Sequence, residues 1–534
     1  MADIVLINPR FEMSFFGMEL VMPFIGRRAN MPVASLPLLA ALTPGKHHVT
    51  LLDENVEPID FDRIARADIV GITGMGIQRQ RITEILDELK KRGAFVVVGG
   101  PMATVHEEYF EGRVDAIFIG EAEETWPRFL EEWERGEHGY RYEQAAKSDM
   151  TKVPTPRFDL LKMNRYLFGS VQFSRGCPFQ CEFCDIIVTF GRRPRIKSSE
   201  QVIAEIEAMD RQGVKIAFIV DDNLIGNKRA IRPVLKAVAD WQQRKGFPLT
   251  FFTEASIDLA DDPELMQMMV DANIISVFIG VESPNEESLR ETKKYQNVRQ
   301  GRSMIEKIHA IQEIGMEVWC GLIVGFDNDD TTIFDRQIQF LEEARIASGL
   351  VGMLHAIRRT PLYDRLLAEG RLAETDNTEF KTNVVPLRMT REEMHEGYIR
   401  VLNYLYSPEN FFRRMDSLYI DAKIEMGRTR AEYWKKHPIQ GLLTNAMFAL
   451  HATGLFARMM MGIPEPELRR EYRKRIANLI RHRPDPGLVL TYTFKCAQHY
   501  HAYTMARKMA AKRESLVNGY VGTTGEPQPA ASLA

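Results

Sequence analysis

Between residue 1 and about residue 140, short apolar runs alternate with stretches of helical period. The runs DIVLINP, HVTLLDE, DIVGITGM, AFVVVGGP and AIFIGEAEE each break off in small or polar residues. ITEILDELKKRG, between the third and fourth, spaces its apolar side chains three and four apart and stops at a glycine, as an amphipathic helix does. The strand-like runs are continuous rather than alternating, which predicts a parallel sheet covered on both faces. The predicted unit is a doubly wound, Rossmann-like α/β domain, which takes ligands beyond the carboxyl ends of its strands. Gly74, Gly76, Gly99, Gly100 and Gly120 stand at those ends, where glycine lets backbone approach a bulky ligand.

A connector (residues 141–169) carrying KSDMTKVPTPRFDLLKMNRY leads to a second series of strands. SVQFSRG, IAFIVDDN, TFFTEAS, SVFIGVES, VWCGLIVGF and GLVGMLHAI, separated by helical patterns such as SEQVIAEIEAMDRQG, predict six βα units over residues 170–384. That is enough for an open, partial β/α barrel, whose chemistry gathers at the carboxyl ends of the strands. Residues 385–515 read as helices rich in Arg, Met and aromatics, and residues 516–534 as a disordered tail.

A composition of 45% hydrophobic and 27% charged residues supplies ordinary globular cores. The formal charge of −4 argues against a nucleic-acid partner held by a global basic field. The opening MADIVLINPRFEM reads as a first strand rather than a leader, because it lacks a basic flank and its apolar run is short. Residues 439–463 are apolar but include Asn, His, Thr and Arg, so they are expected not to span a membrane.

Three of the five cysteines, Cys177, Cys181 and Cys184, fall within SRGCPFQCEFCDI, immediately after the first strand of the second series. An odd count with one cluster is no disulfide framework; it predicts a metal site in a reducing, cytoplasmic setting. Thiolates choose zinc or iron–sulfur. A structural zinc wants four ligands and the local supply is three, with no histidine nearby. A 4Fe–4S cluster on three cysteines leaves one iron open to substrate or cofactor.

Cys-x3-Cys-x2-Cys, with Phe183 before the last cysteine and placed after the first strand of a six-unit βα series, resembles the radical S-adenosylmethionine superfamily. The resemblance implies that the open iron chelates S-adenosylmethionine and that one electron releases a 5′-deoxyadenosyl radical. It implies further contacts to that cofactor from Phe183; from Asp221, Asp222 and Asn223 in VDDN; from Glu254 in TEAS; and from Glu282 and Ser283 in GVES. In GLIVGFDND, Gly321, Ile323 and Gly325 are similar to the GxIxG pattern, whose Ile packs on adenine, while Asn328 replaces the expected Glu. An electron donor such as flavodoxin or ferredoxin is implied as well.

The α/β domain ahead of the barrel resembles the cobalamin-binding subclass, and the likeness covers roughly residues 1–390. It implies that the strand-end loops, with Thr73, Gly74, Met75, Gly99, Gly100, Gly120 and Glu121, cradle cobalamin. The Asp-x-His-x-x-Gly of cobalt-ligating domains is absent, and the first loop reads NPRFEM, so no histidine ligand to cobalt is expected. Met75 and Gln78 are expected near the lower corrin face. GIQRQ, GSVQFSRGCPFQCEFCDI, GRRPRIKSSEQV, FIVDDN and TPLYDRL are similar to hopanoid methylases. The resemblance implies methylation of an unactivated carbon of an apolar, lipid-like substrate. The alternatives are a non-methylating radical enzyme of the anaerobic porphyrin-ring cyclase type and a non-catalytic cobalamin or redox sensor. A methylthiotransferase would need cysteines before Cys177, and there are none. Residues 385–515 are expected to decide the substrate, as an apolar lid or groove whose basic helix meets anionic headgroups, or to form a plain helical cap.

Overall fold

The computed structural model describes residues 1–15, 17–298, 301–373 and 382–512; the expected disordered tail lies outside the described residues. The first sheet is wholly parallel, with strands β1 (Asp3–Asn8), β2 (His48–Asp53), β3 (Ile69–Thr73), β4 (Val96–Gly99), β5 (Ala116–Ile119) and β6 (Arg141–Glu143) in the order β2-β1-β3-β4-β5-β6. Successive residues feed opposite cores: Ile4 and Leu6 enter one apolar cluster, Val5 and Ile7 the other. A run buried on both faces cannot alternate with polar residues. The order reverses between β1 and β3, which opens a crevice beyond their carboxyl ends. β6 extends the sheet past the expected limit at residue 140.

The second sheet comprises β7 (Gly169–Val171), β10 (Ile216–Ile219), β11 (Thr250–Ala255), β12 (Ile274–Glu282), β13 (Glu317–Val324) and β14 (Gly349–Met353), again all parallel, in the order β14-β13-β12-β11-β10-β7. The first expected strand is split. β7 stops at Val171, and Ser174–Arg175 (β8) pairs antiparallel with Arg195–Ile196 (β9) as a separate ribbon. The strands alternate between fully and partly buried positions. Phe251, Val277 and Val318 face the helices, while Phe218, Phe252, Phe278 and Trp319 are half-buried along the concave face. Their rings form a floor: Phe218 stacks on Phe252 at 4.8 Å, and Trp319 lies 6.1 Å from Phe252.

The C-terminal helices close the barrel from beneath. Lys495, on helix Pro486–Lys512, is buried against Glu317 at 2.7 Å and lies 4.3 Å from the Trp319 ring. The Tyr406 hydroxyl donates to the Gly349 carbonyl (2.7 Å), and Arg430 donates to Thr250 Oγ1 (3.2 Å). Glu317, Gly349 and Thr250 are the first residues of β13, β14 and β11. From Tyr406 onward this region therefore packs at the barrel's strand amino ends, away from the cysteines, while Arg388 and Met394 reach the segment after β13; the helices form the plain cap rather than a lid over the site. No described helix is long and apolar enough to cross a membrane.

A buried ion network joins the two sheets' carboxyl faces. Arg175 Nη1 lies 2.8 Å from Glu121 and 2.5 Å from Glu123, and Arg195 lies 2.9 Å from Glu121. Glu121 also accepts the Ser148 amide at 3.0 Å, and Ser148 Oγ donates to Glu123 at 2.8 Å. Removing one partner of a buried pair strands the other charge. Glu121→Ala is expected to lower unfolding free energy by roughly 3 kcal/mol, with Glu123 still facing Arg175. Denaturant titration reads that loss, and faster proteolysis between β6 and β7 reports loosened domains.

Candidate functional site

The cysteine loop is hung from two neighbouring carboxylates. Asp221 is buried at the end of β10 and accepts the Phe173 amide (2.8 Å), the Ser174 amide (2.8 Å) and the Ser174 hydroxyl (2.6 Å). Asp222 accepts the Gly176 amide at 2.7 Å. These bonds turn the chain out of the sheet after β7 and start the ribbon. Gly176 then takes φ +98°, and a Cβ there would stand 2.8 Å from the Gly191 carbonyl oxygen, so only glycine fits. The Cys177 amide donates to that same oxygen at 3.2 Å. Asp221 was expected to meet S-adenosylmethionine. Its carboxylate is instead spent on this backbone, and burial pushes its pKa up to about 7.

Amide donors and a cation surround the sulfurs. Asn223 Nδ2 lies 4.0 Å from Cys177 Sγ, and Gln296 Nε2 lies 3.6 Å from Cys181 Sγ. Lys294 pairs with Glu282 at 2.7 Å. Burial works against the Lys294 charge, but Glu282, Cys181 and Cys184 outweigh it and hold the ammonium above its usual range. Burial also pushes the Cys184 thiol up to about 12. Three soft donors beside hydrogen-bond donors and one cation suit an anionic iron–sulfur cluster. The segment KKYQN gave no motif signal; its contribution comes from folding back across β12.

That fold-back is built on a bulge. The β12–β13 register shifts between Gly280 and Glu282, and Glu282 takes φ +63°. Asn297 Nδ2 donates to the carbonyls of Gly280 (2.8 Å) and Val281 (2.9 Å), holding the bend. A Cβ on Gly280 would stand 2.4 Å from Glu282 Oε1 and 3.0 Å from Lys294 Nζ, so the missing side chain makes room for the pair. Bulges re-aim side chains beside active sites. Glu254, at the end of β11, faces this group without a side-chain hydrogen bond. Burial first, then the charges of Asp222 and Glu282, push its pKa up to about 7. Ser283, by contrast, is fully buried and accepts the Asn285 amide at 3.1 Å, so it shapes the turn.

The other wall is apolar. Phe183 and Ile323 pack on one small cluster with Phe326, and the Phe183 and Phe326 rings lie 5.9 Å apart. TPLYDRL buttresses this wall: Arg365 binds Glu182 of the cysteine loop at 2.6 Å and Asp327 beyond β13 at 2.7 Å. Asn328, where the family pattern has Glu, hydrogen-bonds Glu291, and Arg388 donates to its Oδ1 at 2.7 Å.

Across the gap stand the α/β strand ends. Thr73 and Gly99 end β3 and β4, Gly74 and Gly100 follow them, and the Gly120 amide donates to Thr104 Oγ1 at 2.9 Å. Beyond the chain neighbours, no atom of the described residues lies within 4 Å of where a Cβ on Gly76 or Gly120 would stand. A small pocket there runs from Thr104 and Gly120 to Asp185 and Thr189 of the cysteine segment and to Arg358 and Arg359. The open positions at Gly76 and Gly120 leave backbone bare on the side facing the barrel, as close approach of a bulky ligand would require. Two expectations change. Glu121 is turned into the ion network described above, because Arg175 and Arg195 need its charge. Gln78 is buried and donates to Asn8 Oδ1 (3.2 Å) and the Pro9 carbonyl (2.5 Å), so it ties two strand ends together. Met75 is half exposed.

Gly176→Ala is expected to displace the ribbon and cut bound iron after anaerobic reconstitution to under about a tenth of wild type, since a non-glycine residue at positive φ also meets a carbonyl here; iron analysis reads this. Glu254 carries the opposite sign of effect. Its folded pKa lies above the unfolded value, so it disfavours folding increasingly as pH rises from about 4.5 to 7. Glu254→Gln is expected to stabilise the cofactor-free protein by about 1–2 kcal/mol at pH 8 and by nothing at pH 4, measured by denaturant unfolding.

The chain matches the B12 binding domain over residues 28–130, the radical SAM superfamily over residues 171–335, and a domain of unknown function over residues 360–515. An uncharacterized methyltransferase of Synechocystis sp. is 39% identical over 77% of each chain. The hopanoid C-2 methylase of Rhodopseudomonas palustris is 32% identical over 77% of this chain and 78% of its own length. The fold is similar to that of the cobalamin-dependent S-adenosylmethionine radical enzyme OxsB with aqua-cobalamin bound, with TM-score 0.59 and 15% identity over 93% of this chain and 84% of that one. With a B12-binding α/β domain, a radical SAM barrel and relatives at these identities, the chain belongs to the cobalamin-dependent radical S-adenosylmethionine methyltransferase family that includes the hopanoid methylases, and its cofactors are a 4Fe–4S cluster, S-adenosylmethionine and cobalamin.

Proposed function

We propose that this enzyme methylates an unactivated carbon of an apolar, hopanoid-like small molecule in the gap between its two domains. One observation supports the reading most: the Arg175–Glu121 network holds the strand ends of the α/β domain against the base of the cysteine loop, where cobalamin and the cluster would share one cleft. Cys177, Cys181 and Cys184 hold the cluster. Asp222, Asn223, Glu254 and Glu282 line the polar side of the S-adenosylmethionine site, and Phe183 and Ile323 the apolar side. Thr73, Gly74, Met75, Gly99, Gly100 and Gly120 face cobalamin. When bound, these cofactors supply one-electron cleavage of a sulfonium and delivery of a methyl group, chemistry that no acid–base side chain performs on a hydrocarbon C–H bond.

The chain's own residues orient and exclude. Asp221 and Asp222 fix the path of the cysteine loop, and Lys294 and Gln296 place donors against the sulfurs. Glu254 offers an unpaired carboxylate to a ligand ammonium. The aromatic floor and the Lys495–Glu317 pair shut the lower end of the barrel against water. The electron donor is proposed to be an acidic protein of flavodoxin or ferredoxin type, docking on the open groove at the outer side of the cysteine loop. Lys147, Arg192, Arg193 and Lys228 line that groove, next to the Gly191 carbonyl that receives the Cys177 amide.

Anaerobically reconstituted protein supplied with cobalamin, reductant and a pentacyclic hopanoid is expected to release S-adenosylhomocysteine and 5′-deoxyadenosine in equal amounts, with one methyl group gained by the lipid. Cys181→Ala should yield neither product. Deoxyadenosine without S-adenosylhomocysteine would move the enzyme to ring closure or another non-methylating radical reaction.

A further inference from the structure

Helix Pro438–Gly462 has two apolar faces, and only one is covered. Gly441, Ala452, Leu455 and Met459 are buried on the inner face, and the helix packs against Pro486–Lys512. On the outer face Ile439 is 76% exposed, Leu442 72%, Leu443 66%, Leu450 71% and Met461 77%. At 100° per residue these five and the half-exposed Met447 fall within an arc of roughly 140°, and the stripe runs for about 33 Å. Isolated exposed apolar residues need no explanation, whereas a contiguous stripe marks a surface that something covers.

The charges around it point to the occupant. The helix carries no Asp or Glu, and its one Arg, Arg458, is exposed on the flank of the stripe. Lys435 and Lys436, both exposed, immediately precede it, after Trp434. Residues 428–482 hold eleven Lys or Arg against four Glu and no Asp, in a chain whose net charge is −4. Arg470, Arg473, Lys474 and Arg481 are exposed on the next helix, Pro466–His482. A second copy of this chain on the stripe would bring Lys435, Lys436 and Arg458 of both copies together with no acid on the helix to pair them. A span is ruled out among the described helices, and half of this one is committed to protein packing. An exposed apolar face with cationic borders, on a helix that cannot span, suits one lying in the plane of an anionic lipid surface.

We propose that the outer face of helix Pro438–Gly462 docks this enzyme on an anionic membrane, with Ile439, Leu443, Leu450 and Met461 in the acyl boundary and Lys435, Lys436 and Arg458 at the headgroups. The inner face of the helix packs on Pro486–Lys512 beneath the barrel, and its last turn meets Phe24 of the α/β domain, which leaves the outer stripe free for lipid. It does not depend on the methylation chemistry.

The test is flotation of the full-length reconstituted holoenzyme with vesicles of phosphatidylcholine alone or with about 30 mol % phosphatidylglycerol, at about 0.15 M salt. Wild type is expected to float with the anionic vesicles and at least tenfold less with the neutral ones. Leu443→Glu/Leu450→Glu should reduce flotation more than tenfold, and Lys435→Glu/Lys436→Glu should abolish the preference for anionic lipid. The milder Leu443→Ala/Leu450→Ala, with an unchanged melting curve, guards against misfolding and should weaken flotation by several-fold. The proposal is overturned if wild type floats with neither vesicle, or if Leu443→Glu/Leu450→Glu floats like wild type. It is also overturned if light scattering shows a dimer that this variant splits, which would assign the face to a second copy.

Discussion

Arg175 is the point on which the arrangement turns. Its guanidinium lies in the interior between two carboxylates of the α/β domain, while its backbone forms the ribbon strand two residues before Cys177. Glu123 could not be buried without that cation, Glu121 shares it with Arg195, and the cation could not be buried without the carboxylates, since an unpaired interior charge is among the costliest defects a fold can carry. The pairing is thus mutual. It fixes the orientation of two domains that each complete their own sheet, and it does so at the base of the loop carrying the cysteines.

The concave face of the barrel shows the cost of function in its electrostatics. Asp221, Asp222, Glu254 and Glu282 converge at the ends of β10, β11 and β12. Two are satisfied by loop amides and one by Lys294. The Glu254 carboxylate has no hydrogen-bond or ion-pair partner among the described residues, and burial and the charges of Asp222 and Glu282 push its pKa up to about 7. A fold selected for stability alone would not retain it, nor the positive φ of Glu282. Both are explained if a cationic ligand completes the set. The bulge, the glycine that makes room for it and the Asn297 brace then act together to aim one ion pair at the sulfurs.

Both sheets were legible in the sequence because strands buried on two faces must be continuously apolar, and the cysteine spacing was legible because few chemistries need it. What escaped has physical reasons. The β8–β9 ribbon has two residues per strand, too few for any period to register. Glu121 sits where strand-end carboxylates usually meet ligands, and its partners Arg175 and Arg195 lie more than fifty residues on in the chain. Lys294 and Gln296 act through a tertiary fold-back that leaves no local pattern. The C-terminal helices show their apolar periodicity plainly, but periodicity does not say which end of a barrel a helix will cover. The buried Lys495 and Arg414, anchored to Glu317 and Glu342, decide that.

The floor of stacked rings above the Lys495–Glu317 pair sets a depth as well as a seal. A reactant that enters from the side of the cysteine loop would meet Phe218 and Phe252 at the bottom of the concave face. A long rigid hydrocarbon of the kind proposed above would then enter by one terminus and stop with its remainder outside. The site of attack along such a skeleton is then measured from its tip, and shaving a ring from the floor would let the molecule slide inward and present a different carbon.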